Sequence, residues 1–375
     1  MVTACDTTST PEPTAAPSAA GRSQSTPSAS PSLPSSISSI RITGPYEGEA
    51  RQLNGVGATF PAALYSKWFE EYAKLTGVRI NYQAIGSGGG IKSIIDQTAD
   101  FGASDSPMTE EQLHQAKGGE ILHIPTTLGA VVPTYNLRGL SKPLRFTPDT
   151  LAAIFLGEII KWNDPRLVAD NPDAILPDKD IMVIHRSDGS GTTFVWTDYL
   201  STVSPTWKST VGRGTSVDWP VGLGAKGNAG VSGEVKQNEF SIGYVELVYA
   251  IQNQLSVGDL KNRAGVFVTP SLESVTAAAE ALSTTIPADL RVSLIDAPGE
   301  KTWPISSLTW LLIYKNMQDK PKAIAITRMM WWADHEGQKY AVSLGYAPLP
   351  ESLVKRVEEK ITSITVDGQP AFPGR

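Results

Sequence analysis

Three times along this chain an apolar or alternating segment runs into a turn of glycines and hydroxyl residues and then into a helical pattern. That recurrence constrains the fold more than any other feature. The longest instance is Arg186-Ser187-Asp188-Gly189-Ser190-Gly191-Thr192-Thr193-Phe194, which follows the apolar run Ile181 to Ile184 and leads into a helix-like segment, Phe194 to Leu200. Gly189 and Gly191 let the backbone approach a ligand closely, the N–H groups of the new helix point outward, and Ser190 and Thr192 add hydroxyl donors, so the turn is equipped to hold an anion. Arg186 supplies the fixed positive charge. Gly57-Ala58-Thr59-Phe60-Pro61 repeats the design, with Pro61 at a first-turn position that needs no N–H. Gly86-Ser87-Gly88-Gly89-Gly90 joins the alternating strand Val78 to Tyr82 to a helix carrying Ile91, Ile94 and Ile95. Three helix N-termini furnished with hydroxyls suggest one oxyanion held from several sides.

A chain of 375 residues with 41% hydrophobic content can bury a sizeable core, and its length suggests two globular domains. The net charge of −6 argues against nucleic acid or an anionic membrane as the main partner, since both demand a basic surface, so an anion site here must be local. His114, His123, His185 and His335 are scattered singly and Cys5 has no partner, so neither a zinc site nor a disulfide framework can be assembled, and no metal, cofactor or catalytic group is expected. No run of 18 apolar residues exists. Val2-Thr3-Ala4-Cys5 looks like the end of a bacterial lipoprotein signal whose charged and apolar regions are missing. Either the true start lies upstream and Cys5 is acylated, or Cys5 is an ordinary residue. Residues 7–38 are almost entirely Ser, Thr, Pro and Ala and are expected to form a flexible spacer.

Beyond the spacer, Leu64, Trp68 and Tyr72 recur every four residues and Gly77 follows, which predicts a helix over 60–76 docked by one apolar stripe. A helix over 90–98, a short strand from Ala99 ending at Asp105, and a capping box at Thr109-Glu110-Glu111-Gln112 come next. The alternation of strand and helix implies an α/β fold with a mostly parallel sheet, which binds ligands at the carboxyl ends of its strands. Leu128 to Tyr135 is strand-like, Thr147 to Leu156 and the glycine-rich region beyond 211 predict a second α/β unit, and Val292 to Ile295 is its expected last strand. Trp310 to Tyr314 resembles an inner strand, and Lys322 to Asp334 and Glu351 to Ile361 are helical patterns.

Two motifs invite other chemistries. Asp188 and Ser190 beside His185 suggest a hydrolase triad, but residues so close along one turn cannot place the imidazole between the other two, and Gly189-Ser190-Gly191 is not a nucleophile elbow. Gly222-Leu223-Gly224-Ala225-Lys226-Gly227 matches the dinucleotide fingerprint, with Glu246 about twenty residues on. Asp218-Trp219-Pro220 precedes it where a buried strand belongs, so a glycine-rich interlobe loop is expected instead. Trp331 and Trp332 are expected to pack in the core or between lobes.

Gly-Ala-Thr-Phe-Pro (57–61), Gly-Ser-Gly-Gly (86–89), Phe101-Gly102-Ala103-Ser104-Asp105 and Arg186 to Thr192, in that order and spacing, resemble the phosphate-binding protein family of the high-affinity phosphate ABC transporters over about residues 52–365. Gly88 stands where a second serine is common and Ser187 where alanine is common; both flank contact positions and leave them intact. The resemblance implies a two-lobed periplasmic-binding-protein fold of type II with a double-crossover hinge. Residues 1–50 would form a lipoprotein-like leader and linker, 51–134 plus 305–375 lobe I, and 135–304 lobe II, with crossings near 135 and 304. It also implies phosphate contacts at Thr59, Phe60, Ser87, Asp105, Arg186, Ser190, Gly191 and Thr192, with Asp188 pairing Arg186. The implied setting is extracytoplasmic, in the periplasm or on the outer face of the cell membrane, as a monomer that serves permease subunits and their ATPase. The rival expectations are a phosphoryl-transfer or phosphate-ester hydrolase, a binder of sulfate or molybdate, and an adhesin or phosphate sensor that keeps the fold.

Overall fold

The computed structural model describes residues 40–373; Cys5 and the spacer at 7–38 lie outside the described residues. One twisted sheet runs through the chain. Its strands are β1 (Gln52–Gly57), β2 (Arg79–Ala84), β3 (Phe101–Ser104), β4 (Ile121–Tyr135), β5 (Met182–Arg186), β6 (Leu223–Ala225), β7 (Ser241–Glu246) and β8 (Ile305–Tyr314), in the spatial order β2-β1-β3-β8-β4-β7-β5-β6. The sheet is not mostly parallel, as the strand and helix alternation suggested. It has two parallel wings, β2-β1-β3 and β7-β5-β6, joined through β8 and β4, which run antiparallel to their neighbours. Within each wing a helix carries the chain back between parallel strands, and those crossovers give the alternation seen in the sequence. The central strands reverse direction, which hydrophobic periodicity does not encode.

All residues of β4 are buried, and the strand changes partner along its length: Ile121–Ala130 lies against β8 and Val131–Tyr135 against β7. It begins earlier than the predicted Leu128. Pro125 interrupts the apolar run in sequence, but in the sheet it sits where the register with β8 slips beside Thr309, a bulge that tolerates a missing donor. The expected last strand of the second unit is also corrected. Leu294–Ile295 pairs antiparallel with the start of β8 and takes no place in the second wing. No helix among the described residues is long and apolar enough to cross a membrane.

Helix α1 (Ala62–Thr76) buries Leu64, Trp68 and Tyr72 and stops at Gly77, whose φ of 79° gives the left-handed cap a side chain would resist. Helix α2 (Ser87–Ile95) begins three residues before the predicted Gly90, with its glycines already helical, because it lies directly on β1 and β3. A Cβ on Gly90 would stand 2.8 Å from Gly57 Cα and 3.0 Å from Val56 O. Helix α3 (Gly191–Val203) follows β5, and α4 (Gly227–Gln237) follows β6. The helix Lys320–Asp334 returns against the first wing with Trp331 and Trp332 buried, the latter against Tyr72, so both are core residues.

Two glycine substitutions should move stability in opposite directions. Gly90→Ala forces α2 off the sheet and is expected to lower stability by about 1–3 kcal/mol. Gly233→Ala, in α4 with nothing within 4 Å of its Cβ position, is expected to raise it by roughly 0.5–1 kcal/mol. Urea unfolding midpoints measure both; a stabilised Gly90→Ala would contradict the packing of α2.

Candidate functional site

β5 delivers Arg186 to its carboxyl end with the side chain 1% exposed, and a guanidinium so far from water must be paired. Asp188, two residues on, accepts from Arg186 Nε at 2.8 Å and from Nη2 at 2.5 Å. Burial works to raise the Asp188 pKa, but the Arg186 hydrogen bonds and charge outweigh it and hold the carboxyl below its ordinary value. Arg186 Nη1 is buried without a hydrogen-bond partner among the described residues. Ser190 then caps α3 by accepting the Thr193 N–H at 3.0 Å, and the N–H groups of Gly191 and Thr192 ahead of it have no acceptor within the helix. Tyr244, stacked on Trp196 from β7, ties strand to helix: its hydroxyl accepts the Arg186 N–H at 3.2 Å and meets Thr193 Oγ1 at 2.6 Å.

The turn after β2 packs face to face against this one. Gly88 donates its N–H to Gly189 O at 2.9 Å, and a Cβ on Gly88 would lie 3.1 Å from Gly189 Cα. Gly191 touches both acidic and hydroxyl groups of the opposite side, since a Cβ there would collide with Ser87 Oγ and stand 2.6 Å from Asp105 Oδ2. Asp105 stands just beyond the end of β3 and is buried. Thr309 Oγ1 donates to its Oδ1 at 2.8 Å, Ser87 Oγ donates to its Oδ2 at 3.3 Å, and the Asp105 N–H donates to Ser87 Oγ at 3.1 Å. Burial pushes the carboxyl up from 3.8 to about 7, against the Thr309 hydrogen bond, the Arg186 charge and the Ser87 hydrogen bond, which pull it down.

The third turn supplies Thr59 and Phe60. Tyr249 donates to Thr59 O and Tyr346 to Phe60 O, each at 2.7 Å, and the buried Phe60 ring packs over Gly129, where a Cβ would meet it at 2.6 Å. Thr59 Oγ1 accepts from Asn228 Nδ2 at 2.8 Å, and the same nitrogen donates to Thr192 Oγ1 at 3.1 Å. Gly227 N–H reaches Asp188 Oδ1 at 2.9 Å. The three predicted turns thus converge on one enclosed place with Thr59, Ser87, Asp105, Arg186, Ser190, Gly191 and Thr192.

Asn228, Gly227 and Thr309 also belong there and were not found from sequence. For the first two the signal in the sequence is the glycine run 222–227, which reads as a loop. It is a short strand and a helix start, with Leu223 58% exposed at the sheet edge, which is why no buried strand was visible. Glu246, its supposed ribose-binding acid, is fully buried: Oε2 accepts the Val248 N–H at 3.0 Å, Oε1 has no partner among the described residues, and burial holds its pKa well above the carboxylate range. Chemically the convergent groups are fixed donors, one cation neutralised by its own carboxylate, and a carboxyl poised between its two protonation states. Such a set is chemically able to hold a tetrahedral oxyanion.

Residues 18–328 match a family model described as a PBP superfamily domain. The chain is 46% identical over 311 residues to the phosphate-binding protein PstS of Pasteurella multocida (strain Pm70), covering 83% of this chain and 90% of that protein. It is also 46% identical over 314 residues to PstS of Haemophilus influenzae (strain ATCC 51907 / DSM 11121 / KW20 / Rd), covering 83% and 93%. A solved structure of a phosphate-binding protein from Stenotrophomonas maltophilia superposes with a TM-score of 0.62 at 18% identity, covering 83% of this chain and 94% of that one, which is a likeness of fold.

Asp105 makes stability depend on pH with a definite sign. Its folded pKa lies above its unfolded value, so its contribution is fully present below about pH 4 and is lost as pH rises through about 7. Asp105→Asn lacks this linkage. Relative to wild type the variant should gain up to about 1.4 kcal/mol per pH unit across that window, read from urea unfolding at pH 4.5 and pH 8. A wild-type to variant difference that is constant with pH would mean the carboxyl is ionised throughout.

Proposed function

The chain belongs to the phosphate-binding proteins of the PBP superfamily, and from that membership we propose that it captures inorganic phosphate in its enclosed site and delivers it to an ABC-type importer. It is a substrate-binding transport protein, not an enzyme. The observation that carries this assignment to named residues is Arg186: buried, pinned at Nε and Nη2 by Asp188, with Nη1 unpartnered among the described residues. Thr59, Phe60, Ser87, Asp105, Arg186, Ser190, Gly191 and Thr192 form the phosphate shell in this proposal and Asp188 supports it. Fixed N–H and O–H dipoles replace the water around the anion without reorganising, and the neutralised arginine adds charge without attracting anions indiscriminately.

We divide the molecule into lobe I, 51–134 plus 305–375, and lobe II, 135–304. The change of partner along β4 supports a hinge near that strand's end, and the contacts between Gly88 and Gly189 and between Thr59 and Asn228 are those that opening would break. Phosphate favours the closed arrangement because only there do both sides contact it. The setting is extracytoplasmic, as a monomer facing permease subunits driven by their ATPase. Acylation at Cys5 would tether it to the membrane through the 7–38 spacer; mass spectrometry of the native N-terminus decides this, an unmodified Cys5 excluding it.

Calorimetric titration with a panel of oxyanions tests the assignment, and tight phosphate binding without sulfate binding is expected. Arg186→Ala should weaken phosphate by roughly 1.5–3 kcal/mol. Arg186→Ala/Asp188→Ala should bind better than the single variant, having lost the uncompensated carboxylate, yet less well than wild type because the Gly227 N–H also loses its acceptor. Ionised, Asp105 accepts a hydrogen bond donated by the protonated oxygen of phosphate and repels a bare sulfate oxygen. Asp105→Asn should therefore admit sulfate while keeping phosphate, and unchanged selectivity would remove Asp105 from this role.

A further inference from the structure

Asn228, the second residue of α4, is 0% exposed, and among the described residues its side chain bonds only to groups in or beside the proposed shell. An amide's oxygen and nitrogen have the same shape, so its orientation is set by its partners. Here Oδ1 accepts the backbone N–H of Glu246 at 3.0 Å. That N–H can only donate, so the oxygen is fixed toward it and the NH2 group is fixed toward Thr59 and Thr192. A hydroxyl has one proton and two acceptor sites. Thr59 Oγ1 accepts from Asn228 Nδ2 at 2.8 Å and from the Asn228 N–H at 3.4 Å, so its acceptor sites are engaged and its proton must point elsewhere. Thr192 Oγ1 accepts from the same NH2 group at 3.1 Å, which offers no acceptor in return.

We propose that Asn228 is a positioning residue for anion binding: its amide turns the hydroxyl protons of both Thr59 and Thr192 toward the bound oxyanion. It spans the turn before α1 and the start of α3, so the same amide also holds the two sides of the site in register. The proposal rests on the phosphate assignment above and adds the reason its two threonines act as donors. Donors oriented before the ligand arrives need no reordering when it binds.

The test is a cycle of phosphate dissociation constants for wild type, Asn228→Ala, Thr59→Val/Thr192→Val and the triple variant, with thermal unfolding as a check on folding. Asn228→Ala should weaken phosphate roughly 10- to 100-fold in the wild-type background. Once the hydroxyls are gone it should weaken it less than about threefold, because the amide then has nothing to orient. Equal factors in the two backgrounds, as a purely structural residue would give, would overturn the proposal. If Asn228→Ala does not fold, Asn228→Asp replaces it. That variant keeps the acceptor for the Glu246 N–H but turns both hydroxyls toward itself and adds a charge that opposes the anion in either background, so it should weaken binding by a larger factor in the wild-type background than in the valine background; equal factors, or wild-type affinity in it, would overturn the role. A wild-type chain that binds no phosphate would overturn the phosphate assignment and this role together, whereas normal binding by Asn228→Ala overturns this role alone.

Discussion

A guanidinium cannot be taken out of water unpaired, and the burial of Arg186 against Asp188 is the constraint from which the rest of the site follows. One carboxylate does two tasks, since Asp188 Oδ1 also accepts the Gly227 N–H. The end of β5 and the start of α4 are therefore fixed by the same group. Asp188 Oδ2 occupies the space a Cβ on Gly86 would need, so the turn before α2 can approach only because residue 86 is glycine. The pair is neutral as a unit, and Asp188 uses two of the three guanidinium nitrogens, leaving Nη1.

Two acids lie in the same enclosed region, and burial treats them alike while their neighbours do not. Both carboxyls are pushed toward the neutral form by loss of water. Asp105 is drawn back by Thr309, Arg186 and Ser87, so it sits where a small change in its surroundings decides whether it holds a proton. For Glu246 burial outweighs the backbone hydrogen bonds from Val248 and Leu247 and holds its pKa well above the carboxylate range; its side chain caps the helix after β7, while its backbone N–H holds Asn228. An ionised carboxylate at either place opposes a bare anion but accepts a hydrogen bond from an anion that still carries a proton.

The sheet explains how distant segments meet. Gly57, Gly86, Asp105, Arg186, Gly227 and Glu246 stand at or just beyond the carboxyl ends of parallel-wing strands, where helix N-termini begin. Strands β4 and β8 join the wings so that these ends face one another, and Thr309 from β8 reaches the acid at the end of β3.

The sequence by itself determined the local chemistry: the stripe of α1, the capping box at Thr109, the stop at Gly77, and the three turns whose glycines and hydroxyls announce helix N-termini. These are legible because each depends on residues within a few positions of one another. The family resemblance added the residues of the proposed shell, Asp105 among them, whose burial no local pattern encodes. Only the tertiary structure decided that β4 and β8 run against the wings, that Leu294–Ile295 pairs with β8, and that the 222–227 glycines start a helix bearing Asn228. Strand direction, burial and the orientation of an amide depend on partners far away in the chain, Thr59 lying 169 residues from Asn228. No short stretch of sequence carries that information.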